Sequence, residues 1–230
     1  MQANLPVSTV VASHAAQAAS AAILNLEAPR AAVERLGIRV LHTPEERMDI
    51  AHLRQYADFR SEYELDPGLS AFEPIKDALG IVMAICLDDE PIATIRFIPT
   101  GHGVTLTERF WPDLITERAI LGTTSWEVGR LVMAPEHRSA DLLPRCMSLA
   151  LIELLGLVDV QHMHASCLMS MTRLYRRFGF GVHAKRSKGD KDCALIHGTV
   201  AQVAAALKVP MPVRARAQSL VAVEEAHLLQ

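Results

Sequence analysis

The chain lacks several features that would place it in a familiar class at once. Its four cysteines (Cys86, Cys146, Cys167 and Cys193) are scattered, with no CxxC pair. That excludes a disulfide framework or a spaced zinc site, and reads as reduced thiols in a cytosolic protein. The first 26 residues carry no formal charge, so a basic leader is missing, and Ser, Thr, Gln, Asn and His interrupt their Ala and Val. Neither a signal peptide nor a membrane span is expected from such a stretch. It reads as an Ala-rich helical extension, packed on the domain or on a second subunit of a homodimer. No internal repeat is present. A net charge of -3 over 230 residues gives no special affinity for nucleic acid or membrane. The expected location is the cytoplasm.

What is there is a globular balance, half hydrophobic and 21% charged, able to support a sizeable core. Ile38, Val40 and Leu41 give a short strand. Thr43, Pro44 and Glu46 then predict a capping box at the start of a helix, which Asp66-Pro67-Gly68 ends. Two apolar runs flank Asp88-Asp89-Glu90-Pro91 and predict an antiparallel hairpin. Residues 104–122 read as a loop with a short helix, anchored by Phe110, Trp111 and Leu114. A strand over SWEVGRLVM, a helix over about 141–156 with Pro144 in its first turn, a strand at VDVQHMHASC, a helix at LMSMTRLYRRFG and a strand near CALIHGTV follow. This order predicts an α/β fold: a mixed sheet with a parallel crossover in its centre and helices on both faces. The expected organisation is an extension (1–35), one domain (36–205), and a linker with a short helix (206–230).

Glu127 and Arg130 interrupt the apolar strand SWEVGRLVM. Their parity puts them on opposite faces of a regular strand. Gly129 between them predicts a bulge or kink that brings both to one side. An ion pair between the two is the purely structural alternative.

Three stretches, in order, carry a resemblance. Arg96-Phe97-Ile98-Pro99-Thr100 resembles the Arg-Leu-Leu-Pro-Thr stretch of acyl-homoserine lactone (autoinducer) synthases. Trp126-Glu127-Val128-Gly129-Arg130 is similar to their Trp-Glu-Leu-Ser-Arg strand. Met171 to Phe180 is similar to their penultimate helix and to the Leu-Tyr-x-x-x-Gly-Phe signature of GNAT N-acyltransferases. Upstream, Leu53-Arg54 resembles the Leu-Arg of the family's first helix. The resemblance covers residues 36–200 and extends to the related N-acyl amino acid synthases. It implies a GNAT-like fold and transfer of an acyl group from a carrier thioester to a small amine. The autoinducer branch usually has two aspartates that help bind S-adenosylmethionine; here FEPIKDALG offers Asp77, with Glu73 as a loose second. Tyr175 leans towards ordinary GNAT enzymes and N-acyl amino acid synthases. The autoinducer type leads, with an N-acyl amino acid synthase next. A CoA-dependent acetyltransferase and a non-catalytic GNAT-fold binding module stay open.

Acyl transfer to an amine needs a base, a stabilised oxyanion and a protonated leaving thiol. Glu127 is the candidate base. Backbone amides near Leu131, Val132 and Met133 would face the thioester carbonyl if the strand splays from its neighbour. Tyr175 would protonate the sulfur. Arg96, Arg130, Arg54, Asp77 and Ser166 are candidates for substrate binding. No tightly bound cofactor or metal is expected, and His162 and His164 read as a packed or hydrogen-bonded pair. RSADLL (138–143) has no glycine, an acidic Asp141 and then Pro144, a poor cradle for the pyrophosphate of acyl-CoA. That favours a phosphopantetheine thioester on an acyl carrier protein. Arg138 would meet this donor. Arg173, Arg176 and Arg177, with Lys185, Arg186, Lys188 and Lys191, form a basic face for an acidic carrier, or simply a solvated one. Met147, Met163, Met169 and Met171 would suit the core or a fatty-acyl tunnel.

Overall fold

The computed structural model describes residues 35–57, 66, 68–114 and 118–211. The Ala-rich extension up to residue 34, residues 58–65 of the first expected helix and the segment beyond 211 lie outside the described residues. Strand β1 (Leu36–Val40) leads to helix α1 (Pro44–Met48). The Thr43 hydroxyl accepts from the Glu46 amide, and the Glu46 carboxylate accepts from the Thr43 amide, so the expected capping box is in place. The helix does not run on as expected. Ile50 leaves helical geometry (φ -103°, ψ 4°) before α2 (Ala51–Arg54). That break lets Ile50 and Leu53 bury completely in a cluster with Leu41, Val82, Ala84 and Cys86.

Helix α3 (Glu73–Leu79) precedes the expected hairpin of β2 (Ile81–Leu87) and β3 (Glu90–Pro99). Asp88 and Asp89 both take positive φ (48° and 73°), the backbone of a tight hairpin turn that aspartate tolerates. Short helices α4 (Leu106–Phe110) and α5 (Arg118–Leu121) lead into β4 (Ser125–Met133). Helix α6 (Leu142–Leu157) then crosses to β5 (His162–Leu168), and α7 (Thr172–Arg176) follows. A second hairpin, β6 (Gly181–Lys188) and β7 (Lys191–Thr199), and α8 (Val200–Leu207) complete the fold.

The seven strands run in the order β1-β2-β3-β4-β5-β7-β6. Every neighbouring pair is antiparallel except β4 and β5, which are joined by the α6 crossover. Side-chain alternation divides the core. Met83, Ile85, Ile95 and Phe97 face α6 and α8, which supply Cys146, Met147, Ala150, Leu151 and Leu154, and Val200, Val203, Ala204 and Leu207. The α6 positions follow helical spacing, and each fully buried leucine contributes about 1.5–3 kcal/mol. On the other face Leu69, Leu106, Phe110, Trp111 and Ile120 pack with Cys193 and Leu195. Helices thus cover both faces, as the element order predicts.

Three elements escaped the sequence reading. Helix α3 is short, and Pro74 in its first turn was the available signal. Strand β6 is an edge strand with no buried residue, so its polar GVHAKRSK reads as a loop. Helix α8 begins with a capping box, Thr199 and Gln202, whose spacing was the available signal. It carries packed chain past residue 205, with Leu207 and Val209 buried.

Gly179, after α7, has φ +88°, and a Cβ there would lie 2.6 Å from the Gln202 carbonyl oxygen. Gly179→Ala is expected to cost at least about 2 kcal/mol in urea unfolding. Gly37→Ala, whose Cβ would meet nothing within 4 Å, is expected to change stability by less than about 0.5 kcal/mol.

Candidate active site

The site begins with an irregularity in β4. Arg96 pairs with Gly129 and Thr94 with Val132, so one residue of β3 faces two of β4, Arg130 and Leu131. The expected bulge is present, one position beyond the glycine. Arg130 itself takes the left-handed conformation, φ +51°, at a cost of about 1–2 kcal/mol for a residue with a Cβ. Its guanidinium donates to Glu73 of α3 (Nε 3.0 Å, Nη2 2.8 Å), which holds it there. Trp126 and Val128 belong to the α6 side of the core. Glu127 and Arg130 both line a cavity with Lys76 and Arg96. The bulge does bring the two charges together. They do not form an ion pair with each other, because α3 supplies the partner.

Glu73 and Asp77 lie one helical turn apart on α3, so both carboxylates face the sheet. Asp77 takes both terminal nitrogens of Arg54 (2.6 and 3.1 Å) and Nη1 of Arg96 (2.6 Å). Glu73 takes Arg96 (3.0 Å), Arg130 and Lys76 (3.3 Å). Burial alone would raise both carboxyls, but the surrounding cations outweigh it and hold both below their ordinary range. Lys76 is 2% exposed, and burial lowers its pKa against the pull of Glu127 and Glu73.

Glu127 is buried, and desolvation raises its pKa. Two amides at the start of α4, Leu106 (3.2 Å) and Thr107 (2.7 Å), donate to its carboxylate and oppose that rise. The Thr107 hydroxyl lies 3.2 Å from His164 Nδ1 and 3.3 Å from Ser166 Oγ, and Trp111 Nε1 donates to Ser166 at 2.9 Å. His164 is fully buried, its pKa pushed down to about 3 by desolvation and then by neighbouring histidines. It is therefore a neutral scaffold at physiological pH. His162 pairs across the sheet with His197 (Nδ1 to Nε2, 3.1 Å).

Strands β4 and β5 pair over only three positions, Ser125 to Glu127 against His162 to His164. Beyond them the strands part. The polar cavity, about 120 Å³, lies at this opening between Glu127, Gly129, Leu106, Ser166 and Tyr175. A larger apolar cleft of about 420 Å³ adjoins it, lined by Leu131, Val132, Met133, Arg138, Met171 and Tyr175 among others. Leu131 and Tyr175 border both. The Ala134 amide donates to β3, so strand alternation turns the Met133 and Leu131 amides towards the cleft and the Val132 amide away from it. Arg138 Nε donates to the Met133 carbonyl on that open side (3.0 Å).

The structure brings together Glu127, Arg96, Arg130, Ser166 and Tyr175 around one cavity. Arg54 and Asp77 stand behind it. Of the four methionines singled out, Met171 lines the cleft, while Met147 and Met163 are core. Arg173, Arg176 and Arg177 are exposed, as are Lys185 and Lys188. Arg186 pairs with Asp113 and lies over the Trp111 ring (4.9 Å). Sequence reasoning missed Lys76 and Thr107. The i, i+3, i+4 spacing of Glu73, Lys76 and Asp77 was a signal for the first; nothing local marked Thr107.

A mixed sheet opened beside its parallel pair, with a buried carboxylate at the fork, is the architecture of GNAT-like N-acyltransferases. Residues 61–191, more than half of the chain, match the family described as N-acyl amino acid synthase FeeM, and the chain belongs to that family. The solved structure of FeeM, an N-acyl amino acid synthase from uncultured soil microbes, is 16% identical, covers 80% of this chain and 98% of its own, and has a TM-score of 0.56. A protein assigned as an N-acetyltransferase from Lactobacillus plantarum is 17% identical over 72% of this chain and 98% of its own, with a TM-score of 0.51. MesI, a CoA-dependent acyl-homoserine lactone synthase, is 16% identical over 78% and 98%, with a TM-score of 0.50. These likenesses are of fold. No protein of curated function matches the sequence.

Asp77→Asn removes an anion shared by the buried guanidinium of Arg96 and the half-buried one of Arg54, and is expected to cost about 2–4 kcal/mol in urea unfolding. Because Asp77 and Glu73 are held below the ordinary carboxylate range, their stabilisation is complete above about pH 4–5 and is lost as pH falls through the depressed folded-state values. Unfolding measured against pH should show that acid-side loss, and it should be shallower in Asp77→Asn.

Proposed function

We propose that the protein transfers an acyl group from a carrier-bound thioester to the amine of an amino acid, forming an N-acyl amino acid. The observation that carries this is the buried Glu127 at the fork of β4 and β5, with cations around it and an apolar cleft beside it. Family membership supports the amino-acid acceptor ahead of the homoserine-lactone product suggested by RFIPT and WEVGR.

The acceptor enters as an ammonium. Glu127 takes one proton, a task to which its raised pKa suits it. The amine then attacks the thioester carbonyl, and the C–N bond forms. The Leu131 and Met133 amides, facing the cleft, stabilise the oxyanion. As the C–S bond breaks, Tyr175 protonates the departing sulfur. Two protons leave the amine in all: one ends on the thiol and one passes to solvent through Glu127. Arg96 and Arg130, fixed by Glu73 and Asp77, orient the acceptor carboxylate. The apolar cleft takes the acyl and pantetheine parts.

The first turn of α6 favours a carrier protein over CoA as the donor. A pyrophosphate needs free amides there. The Leu142 amide donates to Ser139 Oγ (3.0 Å), the Leu143 amide is aimed at the Ser139 carbonyl (3.5 Å), and Pro144 has none. Exposed Arg173, Arg176 and Arg177 lie just beyond Met171 and Leu174 of the cleft, where an acidic carrier would dock. The reaction belongs in the soluble phase of the cell, on our reading the cytoplasm.

Mass spectrometry of lipid extracts from expressing cells is expected to show N-acyl amino acids; acyl-homoserine lactones instead would replace this assignment. Glu127→Gln should lower kcat by about 10²–10⁴ and remove the acidic limb of the pH profile. In the wild type that limb should fall above the ordinary glutamate range, with activity lost as pH drops through it. Unchanged turnover would remove Glu127 from the chemistry. Reversing Arg173 and Arg176 to Glu should raise KM for the carrier-bound donor about tenfold while sparing acyl-CoA; equal effects on both would exclude carrier docking on this face.

A further inference from the structure

We infer that Lys76 is a further substrate-binding residue: its ammonium receives the free carboxylate of the acceptor while Glu127 takes the proton of the amine. This rests on the proposed amine acylation and names the group that the same site reads on its substrate.

The first ground is the state of the lysine. Lys76 is 2% exposed and lies on the face of α3 that it shares with Glu73 and Asp77. Burying an ammonium is costly unless its charge is paired and its three N–H groups are bonded. Among the described residues the Lys76 ammonium hydrogen-bonds Glu73 Oε1 alone, at 3.3 Å, which is long for a charged pair. Glu73 is already drawn upon: it takes Arg96 at 3.0 Å and Arg130 at 2.8 Å. The other charge that pulls on Lys76 is that of Glu127.

The second ground is place. Lys76 and Glu127 line the same polar cavity, together with Arg96 and Arg130. Short bonds to Asp77 and Glu73 fix the terminal nitrogens of Arg96, and Glu73 fixes Arg130. Those arginines are held in position by carboxylates; Lys76 has no such short bond. An α-amino acid carries its amine and its carboxylate on the same carbon. With the amine at Glu127, the carboxylate stays inside the cavity, where the two remaining N–H groups of Lys76 meet it. Charge agrees with this placement. Once Glu127 takes the proton of the amine it no longer offsets Lys76, and the acceptor carboxylate does so in its place. An amine without a carboxylate leaves the lysine with neither.

The test is an acylation assay with purified protein, run in separate arms with a long-chain acyl carrier protein and the matching acyl-CoA. The standard amino acids are offered together with their α-carboxamides, and N-acyl products are resolved by mass spectrometry. The wild type is expected to favour each accepted amino acid over its carboxamide by at least about tenfold in kcat/KM. Lys76→Met and Lys76→Gln should each cut that preference by about tenfold, mainly through KM for the amino acid. Glu73 keeps Arg96 and Arg130 in both variants, and circular dichroism checks that they fold. A purely structural lysine would lower both kinds of acceptor alike. A wild type indifferent to the carboxylate, or a preference that persists in either folded variant, overturns the role of Lys76 while leaving amine acylation standing. Acylation of no acceptor with either donor overturns both.

Discussion

The site depends on one ion pair that holds a strand out of its regular path. Arg130 adopts a left-handed backbone that costs energy, and Glu73 of α3 returns that cost through two charge-assisted hydrogen bonds. The resulting bulge re-aims β4 halfway along its length. Before it, Trp126 and Val128 pack against α6; after it, Met133 returns to the same core. Between them the polar face gains both Glu127 and Arg130. The same bend accompanies the loss of pairing with β5 after three positions, and the opening so made holds both the polar cavity and the apolar cleft.

Around that bend the charges are arranged in two layers. The carboxylates of Glu73 and Asp77 sit behind, each shared between cations, and fix Arg96 and Arg130 in a direction. Glu127 sits in front without a guanidinium of its own; it is held by backbone amides and approached by Lys76. The difference matters for chemistry. A carboxylate clamped by arginines is a poor base, as the lowered pKa of Glu73 and Asp77 shows, whereas desolvation raises Glu127. One cluster thereby contains anions that organise and one that can accept a proton.

Much of the fold was legible from local patterns. The capping box at Thr43, the turn at Asp88-Asp89 and the first-turn placement of Pro144 all act over a few residues, and all appear where expected. Strand β6 was not legible because its inward face is only half-buried and carries Val182, Ala184 and then the charged Arg186, too weak an apolar alternation to mark a strand. The break at Ile50 was not legible because tertiary burial, not propensity, pulls that residue out of the helix.

By itself, the sequence determined that two charges would occupy an apolar strand, that a bulge near Gly129 was needed to put them on one face, and that the turn at 138–143 would be a poor phosphate cradle. These follow from strand parity, charge burial and the absence of glycine, which are local rules. Only the tertiary structure decided which residue bends, which carboxylate holds Arg130, and how large the cavity in front of Glu127 is. Those depend on α3, α4 and β5 meeting β4 from distant parts of the chain. Contacts made across such separations leave no periodicity in the sequence.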